Sequence, residues 1–146
     1  MARRHTIASG IFYLVAFWAG ALGFVIDFGL VNPLDILDDA PYREPFAALV
    51  SQPDVQELVL VFAGFIGGLL IASALCIVVL VSGPLRRNEG RARPLVVILS
   101  LGILIPQFIT WSRLGMPIAA LSVVGILIGL VVVAALLLRG SSPTSS

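Results

Sequence analysis

The sequence predicts an all-α, polytopic membrane protein: a bundle of four transmembrane helices with short interfacial helices in the first outer loop. Of its 146 residues, 59% are hydrophobic and only 12% are charged, whereas soluble domains carry about 25% charged residues. Four apolar segments are close to the ~20 residues needed to cross a hydrocarbon core. Basic residues are concentrated in the connections on one side of these segments and acidic residues in those on the other side. We therefore predict one transmembrane domain over residues 1–140 and a disordered tail over 141–146.

The first span is predicted over residues 7–31, and it carries no charge before Asp27. The start MARRH, followed by an apolar stretch, also fits a signal peptide. That stretch is longer than the ~7–15 residues typical of one, so we expect the span to be retained. Counted from Ile7 at 1.5 Å per residue, Asp27 lies about 30 Å along the helix. It is therefore expected at the outer interface and not at the membrane midplane.

The second span is predicted over residues 58–82 and the fourth over 117–138. Small residues recur in both spans at steps of four, a pattern typical of membrane helices whose backbones approach closely. The pattern is strongest in the second span and weaker in the fourth. The predicted packing residues are Gly64, Gly68 and Ala72 in the second span and Gly125 and Gly129 in the fourth. The small-residue pattern leaves open whether the neighbouring helix belongs to the same chain.

The third span, predicted over residues 95–111, is short and contains Pro106. Ser100, Gln107 and Thr110 fall on one stripe of this helix, because steps of seven and three are helical neighbours. One interpretation is a kinked helix whose polar side chains bond to neighbouring spans. The other is a polar lining for a small cavity or a solute path.

The charges predict an orientation. The N-terminus, the 83–94 loop and the end of the fourth span hold seven arginines and one glutamate, whereas the other side holds two arginines and seven acidic residues. Arginines near span ends favour the cytoplasmic side. We therefore expect a protein of the plasma or inner membrane with both termini cytoplasmic, as an even number of spans also requires. The arginines are expected to meet lipid head groups, not nucleic acid, because no aromatic residues interleave with them.

Gly20 and Gly23 of the first span are also predicted packing residues, and Asp27 shares their helix face, which predicts that it points towards the other helices. Arg113 follows the third span on the same predicted side. We hypothesise that Asp27 and Arg113 pair at the outer rim, the alternative being that each ends its helix in water.

The first outer loop, residues 32–57, is predicted to form one or two short helices on the outer surface of the bundle. It contains Asp35, Asp38 and Asp39, which raises the question of calcium. An EF-hand loop requires a glycine at its sixth position and a glutamate at its twelfth, and both are missing. We expect a solvated acidic lid and no metal site.

These features favour a non-enzymatic accessory or scaffold subunit that acts through helix packing, with membrane lipids and either a second copy or another membrane protein as partners. The alternative is a small oligomeric transporter or channel, which Asp27 and the third span favour. The chain has one histidine and one cysteine, and it shows no arrangement of a nucleophile with a base. We therefore expect neither an enzyme nor a cofactor.

Overall fold

The computed structural model describes residues 2–28, 30, 52–87, 89–113 and 116–139. It contains four long α-helices: α1 (Ala2–Asp27), α2 (Pro53–Leu80), α3 (Ala92–Arg113) and α4 (Ile118–Arg139). All four are long and apolar enough to cross a membrane, which confirms the predicted all-α, four-helix architecture. The predicted loop helices and acidic lid within 31–51, and the predicted tail over 141–146, lie outside the described residues.

α2 and α3 extend beyond the apolar segments that predict them, whereas α1 ends at Asp27, before the predicted boundary at residue 31. α2 begins at Pro53 and not near Leu58, and α3 runs from Ala92 to Arg113. Hydropathy marks only the part of a helix that lipid covers, whereas the polar first turn is set by local chemistry. At α2 that turn holds Pro53, whose missing N–H costs nothing there, and Asp54, which complements the helix dipole.

The four helices form a ring in chain order. α1 packs along α2 over the largest contact, α4 joins α1 to α3, and α2 and α3 form the smallest contact between ring neighbours. α1 also touches α3 across the ring. The first helical hairpin is therefore the most extensively packed part of the bundle.

Buried side chains follow a spacing of three and four residues along α1 and α4. In α4 they are Val124, Leu127, Val131, Ala134 and Leu138. Such spacing keeps one seam of the helix against its neighbours. The remaining faces are apolar and exposed, as at Phe17 and Phe65, whose exposed fractions are 74% and 64%. A bundle that is apolar on the outside as well as inside belongs in lipid, and the chain is accordingly a multi-pass membrane protein.

The packing is uneven along the bundle. We call the end where α1 and α3 begin and α2 and α4 finish the basic end, and the opposite end the acidic end. Buried residues of α3 run only from Ala92 to Leu104, and those of α2 begin at Gly67. Residues 53–66 and 105–113 are all described, and none is buried. α2 and α3 are therefore least packed towards the acidic end.

A π-helical turn, Val81–Leu85, continues α2 at the basic end. Pro84 lies inside this turn and cannot donate a backbone hydrogen bond. The Ser82 hydroxyl donates to the Val78 carbonyl at 2.7 Å, and the Glu89 N–H donates to the Pro84 carbonyl at 3.0 Å. The wider turn carries the chain out of α2 and into the arginine-rich connection.

Candidate helix-packing and polar sites

The closest approach between helices joins Gly23 of α1 to Gly67 of α2. A Cβ built on Gly23 would lie 2.6 Å from the Gly67 carbonyl oxygen, and one built on Gly67 would lie 2.9 Å from the Gly23 carbonyl oxygen. Real Cβ atoms do not approach other atoms this closely, and both obstacles are backbone. Only glycine therefore fits at either position in this packing, as in other closely packed membrane helices.

The contact continues on both sides of that crossing. Towards the basic end, a Cβ on Gly20 would lie 3.5 Å from the Ala74 Cβ. Towards the acidic end, a Cβ on Gly64 would lie 3.7 Å from Oδ1 of Asp27. Gly20, Gly23 and Gly64, three of the predicted packing residues, thus lie along one interface between α1 and α2.

The other predicted packing residues lie elsewhere. Gly68 is exposed and a Cβ there would meet nothing within 4 Å, and Ala72 is also exposed. In α4, Gly125 lies near the Phe108 ring of α3, at 3.8 Å from a built Cβ, whereas Gly129 has no neighbour within 4 Å. Of the predicted packing residues in α2 and α4, Gly64 and Gly125 therefore face a neighbouring helix, whereas the other three are exposed: Gly68, Ala72 and Gly129.

Gly67 lies at the centre of the α1–α2 interface, but the step-of-four pattern in the sequence did not single it out. The interface follows Gly67 and Ala74, seven residues apart, with Val81 buried a further seven along. Seven residues make nearly two whole turns, so this spacing, and not the four-residue step, keeps one face of α2 against α1. This seven-residue spacing was the feature of the sequence that could have identified the α1–α2 interface.

Asp27 and Arg113 end α1 and α3, and both side chains are exposed. No ion pair joins these two residues, both of which the structure describes. Asp27 instead packs beside α2, with its Cβ 3.4 Å from the Cβ position of Gly67. Arg113 complements the negative end of the α3 dipole, whereas Asp27 opposes that of α1.

The predicted polar stripe of α3 does not line one shared cavity. Ser100 is completely buried, and its hydroxyl donates to the Val96 carbonyl of its own helix at 2.7 Å. Gln107 is partly buried, and Thr110 is exposed. α3 continues as an α-helix through Pro106, which lies on its exposed side.

Gln107 instead belongs to a cluster with both tryptophans of the chain. The Trp18 indole N–H donates to Oε1 of Gln107 at 3.3 Å, and the Trp18 and Trp111 rings meet edge to face with centroids 6.2 Å apart. Nε2 of Gln107 is buried and has no hydrogen-bond partner. The cluster links α1 to α3 across the ring. Trp18 was not among the residues predicted from the sequence, although an indole N–H within a span needs an acceptor.

The fold and these contacts define a small multi-pass membrane protein whose first two helices pack through glycine. Within the described residues, no group of three or more His, Cys, Asp or Glu side chains is arranged to hold a metal ion. Comparisons with protein-family models, with curated proteins and with solved structures gave no match to this chain.

Proposed function

We propose that this protein is a non-enzymatic accessory or scaffold subunit of the plasma or inner membrane, with both termini cytoplasmic, and that it acts by packing a helix against a partner. One observation carries the proposal: α2 has two small-residue faces, and α1 occupies only one of them. Gly64 and Gly67 meet α1, whereas Gly68 and Ala72 are exposed.

The exposed face of α2 suits a second membrane helix. Lipid tails are as apolar as leucine, so helices associate in a bilayer mainly through close packing, for which small residues are favoured. Gly68 and Ala72 present little or no side chain on this face of α2, and Phe65 and Leu75 of the same helix are exposed as well. A helix of a second copy, or of another membrane protein, gains backbone contact there that a flexible lipid chain does not provide.

The test compares Gly68→Leu with Gly10→Leu. Both glycines are exposed within a helix and have nothing within 4 Å of a built Cβ, so both variants are expected to fold. Native mass spectrometry in mild detergent, and crosslinking in the source membrane, report association. We expect Gly68→Leu to lose the associated chain and Gly10→Leu to keep it. Equal association of the two variants would contradict the proposal.

A second candidate is a small oligomeric transporter or channel. It is favoured by the buried, unpartnered Nε2 of Gln107, which lies near the acidic end, where α2 and α3 are least packed. A polar group without a partner is costly inside a membrane and often marks a solute site. Flux measurements in liposomes separate the two candidates, because Gln107→Leu abolishes transport only if this site conducts.

A further inference from the structure

A half-open cavity of about 470 Å³ lies between α3 and α4 at the basic end of the bundle. Its volume is within the ~300–1,000 Å³ range of small-ligand pockets. The cavity has a charged part and an apolar part. Arg93 and Arg139 supply the charge, and Pro94, Val97, Ile98 and Ala135 are among the residues that supply the apolar wall.

Arg93 is held in place by the structure of α4. Its Nη1 donates to the Leu138 carbonyl at 3.1 Å, and this carbonyl belongs to the last turn of α4, whose oxygens lack partners within the helix. The bond fixes the half-buried guanidinium at the junction of the two helices. Arg139, the last residue of α4, is exposed and lines the same cavity. The two cations therefore line one site, where Arg93 is bonded to the end of α4 and Arg139 is exposed at the surface.

The lining contains no acidic residue, and because the cavity lies between the positive start of the α3 dipole and the negative end of the α4 dipole, the two arginines determine its charge. The cavity reaches Gly90 and Arg93, at the start of α3, where the helix dipole is positive. Glu89 is the only acidic residue of the chain after Glu57, and it does not line the cavity. An anion is the ligand that this charge distribution selects.

The apolar wall indicates which anion. From Arg93 the lining runs along α3 to Val97 and Ile98, and Ile98 is 67% exposed. At 1.5 Å per residue, Ile98 lies about 7.5 Å deeper into the span than Arg93. A free phosphate would use only the arginines, whereas a phospholipid places a phosphate at the interface and glycerol and acyl carbons below it. Both the phospholipid and the cavity lining thus change from polar to apolar from the membrane interface towards the interior.

We propose that this cavity binds the head group of an anionic phospholipid, with Arg93 and Arg139 contacting the phosphate and the α3–α4 wall contacting the glycerol and upper acyl carbons. The site is independent of the small-residue face of α2. Basic pockets between membrane helices at the cytoplasmic surface are suited to anionic head groups, and the basic end is the one that the arginines predict to be cytoplasmic.

The test uses the full chain, purified in mild detergent. Phosphatidylglycerol and phosphatidylcholine with identical acyl chains are titrated, and binding is followed by native mass spectrometry and by the thermal midpoint of unfolding. We expect phosphatidylglycerol to bind more tightly and to raise the midpoint. Arg139→Gln should weaken this binding about fivefold, the effect of one basic residue near an anionic lipid. Arg86→Gln removes the same charge from the same end, outside the cavity, and should leave binding within twofold of the unmodified protein.

Two further experiments test whether the ligand is a lipid or free phosphate, and whether it binds in this cavity. Inorganic phosphate alone should not raise the unfolding midpoint, and Ala135→Phe, which fills the cavity, should remove the preference for phosphatidylglycerol. If Ala135→Phe fails to fold, Arg139→Gln against Arg86→Gln decides the question. Equal binding of the two lipids, equal effects of the two arginine variants, or stabilisation by inorganic phosphate as large as by the lipid would each overturn the proposal.

Discussion

The backbones of Gly23 and Gly67 approach so closely that a Cβ on Gly23 would lie 2.6 Å from the Gly67 carbonyl oxygen. The same Cβ would lie 2.9 Å from Cγ1 of Ile71 and 3.0 Å from Cβ of Leu70. Backbone and Cβ atoms cannot move aside by changing rotamer. The crossing of α1 and α2 therefore depends on the absence of a side chain at two particular positions.

Substitution at this crossing should destabilise the protein. Gly23→Ala forces α1 and α2 apart, and overpacking of this kind costs about 1–3 kcal/mol. Gly68→Ala is the matched control, because Gly68 lies on the same hairpin with nothing within 4 Å of a built Cβ. It should be neutral or gain up to about 1 kcal/mol from the higher helix propensity of alanine. Unfolding by a denaturing detergent, followed by circular dichroism, measures both. A Gly23→Ala protein as stable as Gly68→Ala would show that the crossing is looser than described.

Asp27 and Arg113 should behave as independent charges. No ion pair joins them, and both are exposed at helix C-termini. Asp27→Asn removes a charge that opposes the α1 dipole, so a gain of about 0.3–1 kcal/mol is expected. Arg113→Gln removes a favourable one, so a loss of similar size is expected.

The double charge reversal Asp27→Arg with Arg113→Asp tests independence directly. Its effect on unfolding should equal the sum of the two single reversals to within about 0.5 kcal/mol, as for residues that share no contact. Rescue of the single variants by the double variant would establish the outer-rim ion pair that the sequence suggests.

Substitutions in the cluster of Trp18, Gln107 and Trp111 should destabilise the protein by different amounts. Within the described part of the chain, Trp18→Phe removes the only hydrogen bond between the Gln107 side-chain amide and another side chain, and it leaves that amide in the bundle. Gln107→Leu removes the amide altogether, including its buried, unpartnered Nε2. Gln107→Leu leaves the Trp18 indole N–H without its acceptor but removes the unpartnered Nε2, whereas Trp18→Phe leaves both Oε1 and Nε2 of Gln107 without partners. Because each unsatisfied buried group is costly, Trp18→Phe should destabilise more than Gln107→Leu. Interhelical hydrogen bonds in membranes average about 0.6 kcal/mol, so a difference of that order is expected.

Fluorescence provides an independent readout of the same cluster. The chain contains only two tryptophans, and their rings are in contact, so the emission spectrum reports on this site alone. Gln107→Leu should shift the emission to shorter wavelength, because the indole N–H loses its polar partner. Ser100→Ala is the control, since its hydroxyl bonds within α3 and its loss should leave the emission unchanged. Identical spectra for all three proteins would place Gln107 away from the indole.

The sequence predicts the fold well because lipid imposes a simple requirement: a spanning helix must be long and apolar. It predicts individual packing contacts less well, because many small residues compete for few interfaces. Gly67 and Gly68 are adjacent and chemically identical, yet one is buried against α1 and the other is exposed. The rotation of α2 about its axis decides between them, and this rotation depends on the whole seam from Gly67 through Ala74.

Trp18 illustrates a second limit of sequence-based reasoning. Hydropathy records it as one more residue of an apolar span, but its indole N–H must find an acceptor. Gln107 was recognised as polar from the sequence. Its partner is 89 residues away in the chain, and local spacing cannot identify a contact at that separation.

The orientation predicted from the arginines can be tested with two cysteine variants. Arg87→Cys at the basic end and Ser112→Cys at the acidic end both replace exposed residues, and Cys76→Ala removes the single native thiol from the background. In intact cells an impermeant maleimide should label Ser112→Cys at once and Arg87→Cys only after the membrane is permeabilised. Arginines next to spans resist translocation, and the 83–94 loop holds four of the nine, so a fully reversed insertion is disfavoured. Labelling of both positions from one side would require an even number of crossings between them and would rule out α3 as a complete span.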